Sequence, residues 1–148
     1  MELQDEIRVE APREIVYEAL NNPEILKACI PGCEELIKNS ETELEAKVVL
    51  KIGPVKAKFG GNVNLDPSNA PSGFSLSGEG NGGMAGFAKG GADVELVEDG
   101  DATIVKYVAK ADVGGKIAQL GSRLILSTSK KLAKSFFDKF KEEVEEQG

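Results

Sequence analysis

The sequence predicts an α+β fold in which a curved antiparallel sheet of about six or seven strands wraps around one long C-terminal helix. Two observations predict it. Apolar and polar residues alternate through most of residues 43–112, which is the period of strands with one buried face. From Lys116 onward, apolar residues recur at helical spacing and form one stripe. A length of 148 residues is typical of one core, so residues 1–148 are expected to form a single domain.

The first thirty residues predict one strand followed by two short helices. Apolar and charged residues alternate over 2–10, which indicates a half-buried strand. Pro12 suits the first turn of a helix, and Asn22-Pro23 ends that helix. A second short helix is expected over 23–28, and the turn at Pro31-Gly32 ends it.

The middle of the chain predicts an antiparallel meander. The alternating segments are residues 43–52, 55–65, 73–79, 85–97 and 102–112. Gly53-Pro54 and residues 98–101 form turns short enough to join antiparallel neighbours. Gly60-Gly61 predicts a bulge or bend within its strand. Each of these strands is therefore expected to pair with the next one along the chain.

The last thirty residues predict one helix of about 28 residues that starts at Lys116. Because no other predicted element is long enough to cover the sheet, we expect a pocket between this helix and the curved sheet. Gly121 interrupts the apolar stripe, and glycine inside a helix costs about 1 kcal/mol relative to alanine. Either close contact with the sheet or space for a ligand would explain it.

Composition excludes several classes of function. The chain has 18 Lys and Arg against 25 Asp and Glu, a net charge of -7, no His and two Cys. Without His, serine triads, zinc-protease motifs and Cys-His pairs are excluded. Two cysteines alone cannot form a four-ligand zinc site. An acidic chain is also a poor candidate for nucleic-acid binding, which depends on neutralising phosphates. No metal, cofactor or nucleic acid is expected.

Glycines cluster in the second half of the meander. Gly78, Gly80 and Gly83 satisfy the GxGxxG pattern of dinucleotide sites, but that mechanism needs a helix directly afterwards. Here an alternating strand follows, so the segment is interpreted as a hairpin connection. The next strand carries small residues on one face, which would permit either sheet curvature or space for a ligand; they are Ala88, Gly90 and Ala92.

Few polar side chains are candidates for chemistry or docking. Tyr107 is the one polar aromatic expected on an inward strand face, either as a core residue or as a hydrogen-bond donor in a pocket. Lysines on the last helix form either a solvated face or a docking surface for an acidic partner or anionic lipid headgroups. The residues assigned to that surface are Lys130, Lys131 and Lys134.

The sequence predicts a cytoplasmic protein. Met1 is followed by acidic and polar residues, whereas a secretory signal needs a basic start and an apolar run. No segment approaches the roughly 18 apolar residues of a membrane span. Cys29 and Cys33 are then expected to be reduced thiols beside a turn.

Several local strings now point to a family. The most specific is residues 114–124, which read GGKIAQLGSRL. The other strings are Ile30-Pro31-Gly32-Cys33, Lys51-Ile52-Gly53-Pro54, Phe59-Gly60-Gly61, Gly86-Phe87-Ala88 and Phe136-Phe137. With the order of elements, they make the chain resemble the CoxG-type proteins of carbon monoxide dehydrogenase, which belong to the polyketide cyclase/START-like (SRPBCC) superfamily. The resemblance spans essentially the whole chain.

The resemblance implies a helix-grip fold with a hydrophobic cavity between the sheet and the C-terminal helix. It also implies an accessory role beside a molybdenum hydroxylase of the carbon monoxide dehydrogenase type, membrane recruitment of that enzyme, and a quinone or similar lipid as ligand. Longer members carry a C-terminal extension, whereas this sequence stops at Gln147-Gly148. We therefore expect at most transient, peripheral contact with the inner face of the membrane.

The leading hypothesis is a non-catalytic carrier or accessory protein for an apolar ligand. The residues expected to form the cavity are Ile30, Pro31, Phe59, Phe87, Tyr107, Leu120, Gly121 and Leu124. One alternative is a cyclase- or hydrolase-like enzyme that uses Tyr107 and Glu79 in the same cavity. The other is a pure docking module that acts through the lysines of the last helix.

Overall fold

The computed structural model describes residues 1–147, which form seven strands, three α-helices and two short 3₁₀ turns. The strands are β1 (Glu2–Val9), β2 (Cys33–Ser40), β3 (Glu43–Ile52), β4 (Val55–Asp66), β5 (Gly73–Asn81), β6 (Phe87–Asp99) and β7 (Ala102–Gly114). The helices are α1 (Arg13–Leu20), α2 (Pro23–Cys29) and α3 (Ser122–Gln147), and the 3₁₀ turns are Gly83–Ala85 and Lys116–Leu120. This is the helix-grip architecture, and the predicted α+β class is confirmed.

The strands form one antiparallel sheet in the order β1-β7-β6-β5-β4-β3-β2. Strands β2 to β7 pair each with the next, so the predicted meander is confirmed. The first strand pairs with the last, and Ile7 lies opposite Val105. The chain therefore returns β1 to the far edge of the sheet, where it meets the strand that leads into α3.

Strand β2 is the one strand that alternation did not indicate. Its register against β3 shifts between Cys33 and Glu35 and again between Lys38 and Ser40. A bulge adds a residue to one strand and reverses the face on which the following side chains lie. Because two such irregularities interrupt eight residues, no regular period of two survives in the sequence.

Local capping places the loop between α2 and β2 over the sheet. The Asn22 side chain accepts hydrogen bonds from the backbone N–H groups of Glu24 (2.9 Å) and Ile25 (3.4 Å), which starts α2. After α2, the Gly32 carbonyl accepts a 2.9 Å hydrogen bond from the Val49 N–H of β3. Gly32 has a φ of +75° and approaches the Val49 carbonyl too closely for a Cβ atom. Glycine at this position thus fastens the loop, with Ile30 and Pro31, to β3.

The long helix begins later than predicted. Residues Lys116–Leu120 form a 3₁₀ turn, and α3 runs from Ser122 for 26 residues. Gly121 lies between them with a φ of +94°, and no atom lies within 4 Å of the position its Cβ would take. The prediction of Gly121 inside a helix was therefore wrong. Glycine is suited here because it adopts a positive φ without strain, and no helix-interior penalty has to be offset.

The C-terminal half of α3 packs against one end of the sheet. Phe140 and Val144 are 0% and 1% exposed. Rings along α3 contact one another, with centroids 4.9 Å apart for Phe136–Phe137 and 5.9 Å for Phe136–Phe140. The other buried members of this cluster are Val9, Ala11, Val16, Ala19, Leu20, Cys29, Phe74, Leu96 and Val105. We call this cluster the packed end.

Candidate functional site

An apolar cavity of about 410 Å³ lies between the N-terminal half of α3 and the sheet. Its volume falls within the range of about 300–1,000 Å³ that is typical of small-molecule sites. Its walls are formed by Met1, Ile30, Pro31, Ala46, Val48, Leu50, Ile52, Phe59, Gly61, Val63, Gly80, Ala88, Ala111, Val113, Ile117, Ile125, Thr128, Ser129 and Leu132. Most of these side chains are aliphatic.

A row of small residues crosses the sheet beneath the cavity. Consecutive strands place Ala46 opposite Gly61, Gly61 opposite Gly80, Gly80 opposite Ala88, and Ala88 opposite Val113. Five neighbouring strands therefore present at most three side-chain carbon atoms each along this line. The cavity exists because the sheet supplies little side-chain volume where α3 passes over it.

Two glycines of this row have different physical roles. A Cβ at Gly61 would lie 2.8 Å from the Glu79 carbonyl oxygen, so close backbone approach favours glycine there. A Cβ at Gly80 would have only the Gly60 carbonyl oxygen within 4 Å, at 3.9 Å. Gly80 is therefore not required by contact with neighbouring atoms, and its missing side chain leaves space in the cavity.

The helix side of the cavity carries the hydroxyls that line it within residues 1–147. Ile125, Thr128, Ser129 and Leu132 lie three, four and seven residues apart, which places them on one face of α3. The Ser129 hydroxyl donates a 2.8 Å hydrogen bond to the Ile125 carbonyl. None of the lining side chains in this part of the chain is charged.

Three of the predicted cavity residues lie together on the wall. Ile30 and Pro31 come from the loop that Gly32 fastens to β3, and Phe59 comes from β4. The Phe59 ring lies against Gly82, where a Cβ atom would come within 2.5 Å of the ring. These residues were identified because they stand out as large apolar residues near turns.

The model of one protein family, the G-subunit of carbon monoxide dehydrogenase (CoxG), matches residues 6–145. The chain belongs to the CoxG family. This confirms the resemblance that the sequence strings indicated. The match covers all seven strands at least in part and nearly all of α3, so it includes both the packed end and the cavity. No curated protein sequence matches the chain.

Solved structures share the fold of this CoxG-family chain. A conserved protein from Geobacillus kaustophilus is 28% identical with a TM-score of 0.91, over 99% of this chain and 96% of that chain. A START superfamily protein from Mycobacterium smegmatis is 12% identical with a TM-score of 0.74, over 99% of both chains. The Zhui aromatase/cyclase from Streptomyces sp. R1128 is 10% identical with a TM-score of 0.71, over 98% of this chain and 93% of that chain.

Phe87 does not lie on the cavity wall of this CoxG-family chain, which corrects its predicted place. Its side chain is 52% exposed and lies over Gly114 on the outer face of the sheet. Its neighbour Ala88 lines the cavity instead. Successive residues of a strand point to opposite faces, so the small residue of this pair is the functional one.

The remaining predicted residues also lie outside the wall. Tyr107 faces α3 but stacks on Phe137 at the packed end, with ring centroids 5.4 Å apart. Burial raises the pKa of the Tyr107 hydroxyl, and the Asp5 carboxylate raises it further. Leu124 packs against the β3–β4 turn, where a Cβ at Gly53 would lie 2.8 Å from it. Leu120 and Gly121 belong to the 3₁₀ turn and its end, which precede α3.

The other candidate groups are spread over the surface or the packed end. Glu79 is exposed on the face of β5 opposite Gly80. Lys130, Lys131 and Lys134 are exposed on α3, and Lys134 pairs with Asp138 at 2.6 Å. Cys29 and Cys33 are both free thiols.

A larger depression of about 1,040 Å³ lies on the molecule near the packed end. Its rim carries exposed charged residues such as Glu6, Glu95 and Lys106. Ser75 donates a 2.7 Å hydrogen bond to Asp93 within it. Because this depression is charged and open to solvent, we regard the smaller apolar cavity as the functional site. In addition, no helix within residues 1–147 has the length and hydropathy needed to cross a membrane.

Proposed function

We propose that this CoxG-family chain is a non-catalytic carrier or accessory protein that holds an apolar, quinone- or lipid-like molecule in the cavity. The observation that carries the proposal is the 410 Å³ cavity, because protein interiors are normally close-packed and seldom leave a void of this size. Its aliphatic walls match an apolar molecule, which gains free energy by leaving water.

An enzymatic role in the same cavity is less well supported. The two groups proposed for acid-base chemistry, Tyr107 and Glu79, lie at the packed end and on the outer face of the sheet. A general acid or base must come within hydrogen-bonding distance of the reacting group. Replacing Tyr107 by Phe and Glu79 by Gln should therefore leave ligand uptake and any measured turnover unchanged.

The test of the carrier function is occupancy of the cavity. Native mass spectrometry of freshly purified protein and analysis of its organic extract should find a bound apolar molecule. Uptake of the neutral dye N-phenyl-1-naphthylamine and of decylubiquinone should then be lost in Gly80→Leu, since this side chain fills the cavity. Gly60→Leu is the matched control, because its Cβ lies in open space on the exposed face of β4. Equal uptake by both variants would contradict the proposal.

The partner we propose is a molybdenum hydroxylase of the carbon monoxide dehydrogenase type, which the family name supports. Docking would use Lys130, Lys131 and Lys134 on the exposed side of α3. Reversing these charges to Glu should abolish capture of the purified hydroxylase, whereas Lys106→Glu with Lys110→Glu on the outer face of β7 should not. Loss of capture in both variants would indicate a general charge effect and no lysine docking surface.

Contact with the membrane is proposed to be transient and peripheral, at its inner face. Met84 and Phe87 support it, because they are 93% and 52% exposed and adjoin strands that line the cavity. Sedimentation with vesicles of anionic phospholipid should recover a small fraction of the protein. Met84→Ser with Phe87→Ser should remove that fraction, and Ile37→Ser, which alters an exposed residue on β2, should not.

A further inference from the structure

We infer that the cavity selects a neutral amphiphile, one with an uncharged oxygen, and that the Thr128 hydroxyl is its hydrogen-bonding partner. This inference rests on the proposed function, since it specifies the class of molecule that the cavity holds. It concerns the polar atom of the ligand, which the aliphatic walls alone do not specify.

The first argument is the charge of the cavity wall. No charged side chain of residues 1–147 lines it, so an ionised head group inside would lose hydration without gaining a counter-charge. Among the lining residues of this part of the chain, the cation is the α-ammonium group of Met1, which is exposed and donates a 3.0 Å hydrogen bond to the Ala111 carbonyl. A carboxylate or phosphate head group is therefore disfavoured inside the cavity.

The second argument is the state of the backbone. Strands β4, β5 and β6 are paired on both sides, so their N–H and C=O groups are used within the sheet. The middle of α3 likewise satisfies its own backbone groups. Hydrogen bonding to a ligand in the middle of the cavity therefore depends on side chains.

The third argument separates the two hydroxyls. The Ser129 hydroxyl already donates to the Ile125 carbonyl at 2.8 Å, one turn earlier in α3. The Thr128 hydroxyl makes no hydrogen bond to another group in residues 1–147, although it lies on the same wall. A hydroxyl can both donate and accept, so Thr128 can bind a carbonyl, an ether or an alcohol oxygen. Its position between Ile125 and Leu132 places that contact in the middle of the helix wall.

The test uses three probes of equal chain length: dodecan-1-ol, dodecane and dodecanoate, each measured by displacement of N-phenyl-1-naphthylamine at pH 8. For the wild-type chain we expect dodecanol to bind at least about a hundredfold more tightly than dodecanoate. Thr128→Val removes the hydroxyl at nearly constant volume and should weaken dodecanol roughly three- to tenfold. Dodecane should bind the variant as it binds the wild type.

Two matched variants complete the experiment. Ser129→Ala should leave all three affinities within about twofold, because its hydroxyl is committed to α3. Thr128→Ser keeps a hydroxyl and should retain the affinity for dodecanol. Equal weakening by Thr128→Val and Ser129→Ala, or no weakening by either, would overturn the inference. Equal binding of dodecanol and dodecanoate by the wild type would overturn it without any variant.

Failure of the proposed function would give a different result. If neither the dye nor any of the three probes bound the wild-type chain, the carrier function itself would be wrong. If dye and dodecane bound but the alcohol gained nothing from Thr128, the cavity would still be an apolar site and only the selection of a neutral oxygen would be wrong. The two ideas therefore fail separately.

Discussion

The two halves of α3 meet the same sheet with opposite results. From Phe136 to Val144 the helix presents aromatic and branched side chains, and Phe140 is fully buried. From Ile125 to Leu132 it presents two aliphatic and two hydroxyl side chains, and a cavity of about 410 Å³ remains. The sheet follows the same division, with residues such as Phe74 and Leu96 at the packed end and glycine or alanine under the cavity.

This difference teaches that one secondary-structure pair can divide stability and binding along its length. Burial of large side chains contributes most of the stabilising free energy, and the packed end supplies it. The cavity end contributes less, because atoms that face a void lose their dispersion contacts. Such a void weakens the fold unless it is filled, which favours a ligand as its normal occupant.

The largest expected effect is the loss of a ring from the packed end. Phe140→Ala should lower the free energy of unfolding by about 3–5 kcal/mol, since it creates a cavity among close-packed neighbours. Leu132→Ala, on the cavity wall of the same helix, should cost about 1–1.5 kcal/mol, because its side chain already faces a void. Urea denaturation measures both. Equal losses would show that the two ends are packed alike.

Much of the fold could be predicted from the sequence because it depends on periods. Alternation indicated every strand except β2, where bulges destroy the period. The start of α3 was misplaced because residues 116–120 have helix-like spacing but form a 3₁₀ turn that ends at a positive-φ glycine.

The candidate site was harder to predict, because small residues create it. Large residues such as Phe87 and Tyr107 drew attention, yet they lie outside the cavity. The residues that make space, Ala46, Gly61 and Gly80, form a row only after the registers of β3, β4 and β5 are known. Turn geometry sets those registers, and the sequence does not state them directly. Alternation within 44–52 placed Ala46 on an apolar face, but nothing in it distinguished the cavity end from the packed end.

Enlarging an alanine should have opposite consequences at the two ends. Ala102→Leu, at a packed site that is 2% exposed, should lower stability by about 1–3 kcal/mol through overpacking. Ala88→Leu projects into the cavity and should change stability by less than about 1 kcal/mol, while it lowers uptake of N-phenyl-1-naphthylamine at least tenfold. Thermal unfolding and dye binding on the same samples separate the two effects. A large destabilisation by Ala88→Leu would mean that the cavity cannot accept extra volume.

The two cysteines should differ in reactivity, because one of them belongs to the packed end. Burial raises the pKa of the Cys29 thiol to about 11, the Glu143 carboxylate adds to this, and Lys139 opposes it. Compared with a thiol at 9.0, a pKa of about 11 leaves about a hundredfold less thiolate at pH 8. Labelling by an aromatic disulfide should therefore be slow for Cys29 in Cys33→Ser and should accelerate with pH up to about 11. Cys33, which is partly exposed, should react faster in Cys29→Ser; the reverse order would contradict the assigned burial.

The smallest expected effect concerns Tyr107, which stacks on Phe137 next to the boundary between the two ends. Its pKa is raised by burial and then by Asp5, so the folded chain favours the neutral phenol more than the unfolded chain does. The resulting contribution to stability is present below the unfolded pKa of about 10 and is lost as pH rises through the folded pKa. Tyr107→Phe should therefore make stability fall less steeply above pH 10, with Tyr17→Phe as the comparison because burial raises that pKa as well. Below pH 9 both variants should stay within about 0.5 kcal/mol of wild type. Dye uptake should not change in Tyr107→Phe, because the cavity ends before Phe136; a weakened uptake would show that the cavity extends into the packed end.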